Sequence, residues 1–347
     1  MSVGAGKIVR DAHLPAYRLA GFEVVAVHDL EHARAEELAT AFGIGRVCAT
    51  LDEAVRSAPR DAVFDVAVPA RSLDAVLRAL PDGAVVLIQK PFGENLEEAR
   101  RLREVCREKR LLAAVNFQLR FAPSVLAARA LLEQGALGEP CDVEVRVTCA
   151  TPWQIWPFLR GIPRLEILYH SVHYLDLVRA LFGEPRGVHC LTVQHPRMPE
   201  LAATRSAIAL DYGAMRRATI TTNHGHDFGL QHQESYLRIE GTHGAVHARL
   251  GVNLDYPRGL PDELEVATFP GEGAAGDARN AAWSRVALSG NWFPHAFIGT
   301  MASLMRRAAG ETSELPTSVE DAFRTMALVE ACYRSATNGN VEPVPEP

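Results

Sequence analysis

Two short stretches near the start of the chain decide its reading: Gly4-Ala5-Gly6-Lys7-Ile8-Val9, and Val24-Val25-Ala26-Val27-His28-Asp29. In the first, two glycines let a backbone turn approach a pyrophosphate, and a helix opening at Lys7 and Ile8 offers N–H donors to it. Val9 stands where a third glycine would complete the pattern. The second stretch is an apolar run ending on a carboxylate, where an Asp accepts hydrogen bonds from ribose hydroxyls and repels a 2′-phosphate. Leu30 follows rather than an arginine, which favours NAD over NADP. Either stretch alone reads equally well as a glycine-rich loop or a surface Asp; together they predict a dinucleotide-binding sheet. Only Met1, Ser2 and Val3 precede Gly4, whereas a central strand usually runs about five residues. The first strand is therefore either cut short or begins upstream, and a short one would leave neighbouring backbone groups unpaired.

Working outward, apolar runs at Phe22–Val27, Ala62–Val68, Ala84–Ile88 and Leu111–Val115 alternate with helical patterns. Runs apolar on both faces and separated by helices predict a parallel sheet covered on both sides. Asn95 with Glu98 reads as a helix cap, and Gly43 closes the Ala33–Phe42 helix. Beyond Phe121 a helix at Ser124–Glu133 is followed by strands with period-2 alternation. These span Cys141–Thr148, Gly187–Val193, Arg205–Tyr212, Met215–Thr222, Tyr236–Glu240 and Ala245–Arg249, with a turn at Tyr212–Ala214. They predict an antiparallel sheet with one face packed and one free, the free face being an oligomer interface. A helix at Leu165–Leu181 interrupts them; helices at Pro294–Ala309 and Ser318–Asn338 close the chain, the last capped by Thr317 with Glu320. The end, Val341–Pro347, is expected to fray. The predicted domains are residues 1–121, binding the dinucleotide, and 122–340, binding substrate and partner subunits.

Composition narrows the function. The 347 residues suffice for about two domains, and 48% hydrophobic content supports a substantial core. With 36 Lys plus Arg against 42 Asp plus Glu, a net −6 and no basic block, nucleic-acid binding is not expected. The apolar runs are too short to cross a bilayer, and no export signal is visible. Six scattered cysteines without a C-x-x-C pair fit free thiols in a reducing cytoplasm. The expectation is a cytoplasmic protein acting on a small molecule.

Gln89-Lys90-Pro91 follows the Ala84–Ile88 run directly, so Lys90 falls at the carboxyl edge of the sheet, where ligands of doubly wound folds collect. A partly desolvated lysine there has a lowered pKa and can polarise or protonate a substrate oxygen; a surface lysine in a turn is the plain alternative. His170 and His173 share one helix face, and His224, His226 and His232 form a second histidine-rich stretch. Neither set has the further ligands a metal needs, so the first reads as core or rim histidines and the second as a polar hairpin near the substrate mouth. Trp153, Gln154, Trp156 and Phe158 could stack on a sugar ring or simply pack a loop, and Trp292 to His295 could reach the same cleft. Arg120 and Arg164 could orient a substrate or form salt bridges.

In this combination and order the chain resembles the Gfo/Idh/MocA family of NAD(P)-dependent oxidoreductases over nearly its whole length. The resemblance rests on Gly4-Ala5-Gly6 with Ala12-His13-Leu14-Pro15, Val24 to Asp29, Gln89-Lys90-Pro91 and Asn116 to Phe121. It continues through His170 to Asp176 and Ala327-Leu328-Val329-Glu330. It implies a fold in the α/β class: an N-terminal Rossmann doubly wound parallel sheet and a C-terminal α+β domain with a large open, mainly antiparallel sheet. It implies Lys90, His173, Tyr169 and His170 as the catalytic group. Gly4, Gly6, Lys7, Ile8, Asp29, Pro69, Gln89, Lys90 and Asn116 would hold NAD, with no metal; Arg120, Trp153, Trp156 and Asp176 would meet substrate, Asp176 alternatively being structural. Two positions depart from the family pattern, Gln89 for its Glu and Tyr169 for its Asp. The expected activity is NAD-dependent hydride transfer on a sugar, polyol or related compound, by a homodimer or homotetramer. The alternatives are a non-catalytic NAD-binding regulator and an enzyme that uses bound NAD transiently, in elimination or glycoside cleavage.

Overall fold

A computed structural model describes residues 1–269 and 281–339; the expected fraying of Val341–Pro347 lies outside them. The described residues divide into two compact units. The first comprises Met1–Phe121 with Phe293–Met326, and the second Ala122–Trp292 with the chain from Ala327 onward. The expected second domain is thus not continuous. The segment from Phe293 returns to the first unit because Phe297, Met301 and Leu304 of helix α8 (His295–Ala308) are core residues there, packed with Val9, Leu38 and Leu87.

The first unit holds a parallel sheet in the order β3-β2-β1-β4-β5-β6. Its strands are β1 (Ser2–Val3), β2 (Val27–His28), β3 (Val47–Cys48), β4 (Val63–Val66), β5 (Val85–Ile88) and β6 (Leu112–Val115). The expected Phe22–Val27 strand shrinks to Val27–His28, because the central β1 offers partners only at Ser2 and Val3. The groups expected to go unpaired are bonded at these positions. Met1 donates its terminal N–H to Val63 O (3.0 Å), Asp65 N–H reaches Met1 O (2.9 Å) and Ala67 N–H reaches Val3 O (2.8 Å). Helices α1 (Leu14–Ala20), α2 (His32–Phe42), α3 (Leu51–Ser57), α4 (Leu73–Ala79) and α5 (Leu96–Glu108) connect the strands. Asn95 caps α5 by accepting the Glu98 N–H at 2.9 Å, while Glu98 returns a carboxylate to the Glu94 N–H at 2.7 Å. Gly43 ends α2 at φ 73°.

The second unit is built on an eight-stranded sheet, β14-β13-β12-β11-β7-β10-β9-β8. In chain order its strands are β7 (Pro140–Thr148), β8 (Gly187–Val193), β9 (Arg205–Asp211), β10 (Arg217–Asn223), β11 (Glu234–Gly241), β12 (Gly244–Arg249), β13 (Glu263–Thr268) and β14 (Ser284–Val286). Every described pairing in it is antiparallel except β7 with β10. Along β7, Val143, Val145 and Val147 are buried while Asp142, Glu144 and Arg146 alternate on the other face. The unit also contains helices α6 (Pro123–Glu133) and α7 (Val172–Phe182). The expected Leu165–Leu181 helix opens instead as a π-helical turn, Ile167–Ser171, and passes into α7. The last helix, α9 (Val319–Asn338), is capped by Ser318, whose Oγ accepts the Asp321 N–H at 3.3 Å, not by the expected Thr317, which is buried.

Candidate functional site

In the first unit the glycine turn is built for close backbone approach. Gly4 has φ +109°, and a Cβ there would lie 2.3 Å from the Ala67 carbonyl oxygen, so only glycine fits between the turn and the end of β4. Around a Cβ placed at Gly6 there is open space. The helix that opens at Lys7 and Ile8 brings N–H groups with no intrahelical acceptor to this turn. Asp29, just past β2, ties the turn in place: its carboxylate accepts the Ala5 N–H at 2.7 Å and the Glu31 N–H at 2.8 Å. Each oxygen keeps a second lone pair for a ribose hydroxyl. The glycine cradle and this carboxylate fit a dinucleotide.

At the carboxyl edge, Pro69 is exposed past β4, and Gln89 and Lys90 follow β5. Gln89 donates its N–H to Val66 O at 2.8 Å, and its Oε1 is a buried acceptor without a hydrogen-bond partner among the described residues. Lys90 precedes a cis Lys90–Pro91 bond and is partly buried; desolvation pulls its ammonium down to about 8. Asn116 was expected to touch cofactor, but it is 0% exposed, and its Nδ2 donates to His13 Nε2 at 3.3 Å. His13 lies in a π-helical turn, Val9–His13, and its Nδ1 sits 2.7 Å from Asp65 Oδ2, which also accepts the Tyr17 hydroxyl at 2.9 Å. This network escaped the sequence reading, although a carboxylate inside the apolar Ala62–Val68 run was a visible signal. Arg120 is not placed for substrate: its guanidinium is held by the Pro316 carbonyl at 2.9 Å and by Asp321.

In the second unit the helix around Tyr169 to Asp176 gathers the other expected residues. His173 is buried, with the edge of Trp292 against its ring at 6.0 Å between centroids. His170 is half-buried, edge-on to Trp153 at 5.1 Å and tilted against His224 at 4.4 Å. Tyr169 packs on Phe158 at 6.2 Å. Two substrate expectations change. Trp153 is buried in a small cluster with Leu159, Leu165 and Leu201, so it packs the loop. Asp176 is 1% exposed, which favours its structural reading. Trp156 remains partly exposed, 5.2 Å from the Tyr256 ring. Arg164 is a salt bridge, fork to fork with Glu330 at 2.6 and 3.0 Å. His224 is not part of a polar hairpin; it is buried 3.4 Å from the equally buried Glu166. Among the described residues, no three His, Cys, Asp or Glu side chains converge as a metal site, and no helix is long and apolar enough to cross a membrane. All six cysteines are free.

The oxidoreductase-family profile for an NAD-binding Rossmann fold matches residues 2–117, and that for the C-terminal alpha/beta domain matches 129–345. The chain therefore belongs to the Gfo/Idh/MocA oxidoreductase family, and its first unit is an NAD-binding Rossmann domain. It is 27% identical to a D-apiose dehydrogenase of Rhizobium rhizogenes over 334 residues, covering 92% of this chain and 89% of the relative. It is 34% identical to an inositol 2-dehydrogenase of Acidothermus cellulolyticus over 184 residues, 52% of each chain. A crystal structure of an Agrobacterium radiobacter oxidoreductase, in complex with NAD+, L-tartaric acid and magnesium, superimposes with a TM-score of 0.80 at 22% identity. That match covers 98% of this chain and 97% of the other, and shares the fold. The chain is an NAD(P)-dependent oxidoreductase.

Proposed function

We propose that the protein is an NAD-dependent dehydrogenase of a sugar or polyol, with Lys90 as its acid/base group. The observation that carries this reading is the desolvated lysine at the carboxyl edge of a Rossmann sheet, its ammonium held near pH 8. The names of the apiose and inositol dehydrogenase relatives support the substrate class. Asp29, followed by an exposed Leu30 where an arginine would meet a 2′-phosphate, supports NAD over NADP. Gly4, Gly6, Lys7 and Ile8 would cradle the pyrophosphate, with Asp29 on the ribose and Pro69 and Gln89 lining the remainder. The bound nicotinamide supplies hydride exchange. In the oxidative direction Lys90 Nζ accepts the hydroxyl proton as the C–H bond breaks; in the reverse direction it returns that proton. His173 is the proton partner, with His170 or Tyr169 assisting, and Trp156 offers an apolar face to a sugar ring.

Assaying NAD+ reduction across a panel including D-apiose and myo-inositol tests this reading. Turnover should rise through about pH 8 as Lys90 loses its proton, and Lys90→Met should lower kcat by about 100-fold or more and remove that limb. Tight NAD binding without turnover, and a Lys90→Met protein indistinguishable from wild type, would replace the enzyme by a regulator of the same fold. Product formed without net cofactor reduction would select transient use of NAD instead. We further infer a homodimer or homotetramer formed through the open sheet face, where Leu191 is 61% exposed, and a reducing, cytoplasmic setting for the six free thiols. Light scattering of the purified protein decides the first of these.

A further inference from the structure

The turn that leads into His170 and His173 covers an ionisable pair that the reaction outlined above does not use. Glu166 is wholly buried, and its Oε1 accepts the Ser171 hydroxyl at 2.7 Å and lies 3.4 Å from His224 Nε2. His224, the first residue past β10, is equally buried, with Nδ1 2.8 Å from Thr151 Oγ1 and 3.7 Å from Cys149 Sγ. Both ring nitrogens therefore face atoms that can accept: Nδ1 lies within hydrogen-bond distance of Thr151, and Nε2 meets Glu166 as an ion pair without a formed hydrogen bond. Burial by itself would lower the His224 pKa, but the Cys149 sulfur and the Glu166 carboxylate outweigh it and push it up to about 10. Burial would raise Glu166, and His224, then the Ser206 and Ser171 hydroxyls, hold it below the usual carboxylate range. Their contact biases Glu166 and His224 toward their charged forms.

That charge is pressed against His170. The two imidazole rings are 4.4 Å apart at 42°, and Trp153 stands edge-on to both, at 5.1 and 5.8 Å. Tyr174, Tyr333 and Cys332 also feel the Glu166 charge, and burial pushes each of them up, so they stay protonated and neutral; the Cys149 thiol stands on the Nδ1 side of His224. On the same helix stand Tyr169 and His173. We propose that the Glu166–His224 ion pair is a positioning device for His170, fixing the plane of its ring through the His224 ring packed on it and favouring the neutral, proton-accepting form of His170. Glu166 anchors the cation, Ser171 and Thr151 orient the pair, and Trp153 closes the opposite edge. The inference rests on the reading of His170 as a helper in proton transfer.

The full-length protein labelled with 15N-histidine provides the test, through long-range proton–nitrogen spectra from about pH 5 to 9, with His170 assigned by the signal lost in His170→Gln. In wild type, His224 should show the shifts of an imidazolium throughout, and His170 should titrate about one unit or more below an ordinary histidine. In the neutral double variant Glu166→Gln with His224→Gln, which leaves no orphaned charge, the His170 midpoint should rise by about one unit. A neutral His224 at pH 7 in wild type, or an unchanged His170 midpoint in the folded double variant, overturns the inference. The wild-type spectrum decides even where the double variant does not fold. NAD+ reduction by His170→Gln on a substrate that wild type turns over separates the two ideas. Unchanged turnover removes His170 from catalysis whatever its midpoint, whereas an unchanged midpoint removes only the positioning pair.

Discussion

Each unit of this molecule buries a histidine against a carboxylate, and the two pairs are wired differently. In the Rossmann unit, His13 Nε2 must accept the Asn116 Nδ2–H, so the ring carries its proton on Nδ1 and turns it toward Asp65, 2.7 Å away. Tyr17 donates to the same carboxylate oxygen, and burial, reinforced by Asp65, pushes that phenol far above its ordinary pKa. In the second unit, neither nitrogen of His224 meets a donor-only group; Thr151, Cys149 and Glu166 surround it. One histidine is a relay of hydrogen bonds between backbone elements, joining the helix after the glycine turn to β4 and to Asn116 just past β6. The other is an ion-paired ring packed against the half-buried His170. A buried imidazole takes its character from whether its second nitrogen finds a donor or an acceptor.

The largest expected effect breaks the second pair. His224→Leu leaves the Glu166 carboxylate buried without a counter-ion and should cost about 3–5 kcal/mol in denaturant unfolding at neutral pH. The sign of the pH dependence follows from the same pair. The folded His224 pKa, about 10, lies above its unfolded value of 6.5, so its contribution is complete below 6.5 and is lost as pH rises toward about 10. Glu166 lies below its unfolded value of 4.5, so its contribution is complete above 4.5 and is lost in acid. Wild-type stability should therefore hold between these unfolded values and decline above the upper one, and the Glu166→Gln, His224→Gln protein should lose that alkaline decline. For the first pair, Tyr17→Phe removes one hydrogen bond to a buried carboxylate while leaving His13 in place, and should cost about 1.5–3 kcal/mol by thermal or denaturant unfolding. Gly4→Ala sharpens the contrast by striking the turn beside the relay. The clash with Ala67 should weaken NAD+ binding by about tenfold or more in calorimetry, with the second unit's histidine spectra unchanged. The smallest effect is Asn95→Ala, about 1 kcal/mol, since it removes one cap from α5 and touches neither pair.

Much of the fold was legible because it is written in local patterns. Strands β8, β7 and β12 fall within a residue of the alternating runs that announced them, and Gly43 and Asn95 end and begin helices as their chemistry requires. What the sequence hid was set by partners far along the chain. The run Phe22–Val27 is as apolar as any strand, yet it pairs only where β1 supplies Ser2 and Val3. The strands β3, β13 and β14 went unseen because they are short or carry their polar residues on an open face. Of the candidate site, the glycine turn, Asp29 and Lys90 stand where their spacing put them. Arg120 and Trp153 carry polar or aromatic chemistry that reads as functional in one dimension and is spent on Pro316 and Asp321 and on a loop core in three, while Asp176 is buried.

The sequence by itself determined most of the alternation of strands and helices, the glycine turn, the carboxylate that ends the second run and the lysine at the strand end, since each is marked by residues within a few positions of one another. Only the tertiary structure decided which buried polar groups are partners. His13 meets Asp65 across 52 positions, and His224 meets Glu166 across the strands between them. Nothing local marks such a pair, because the cost of burying each charge or dipole is met by a group that the chain brings up from elsewhere.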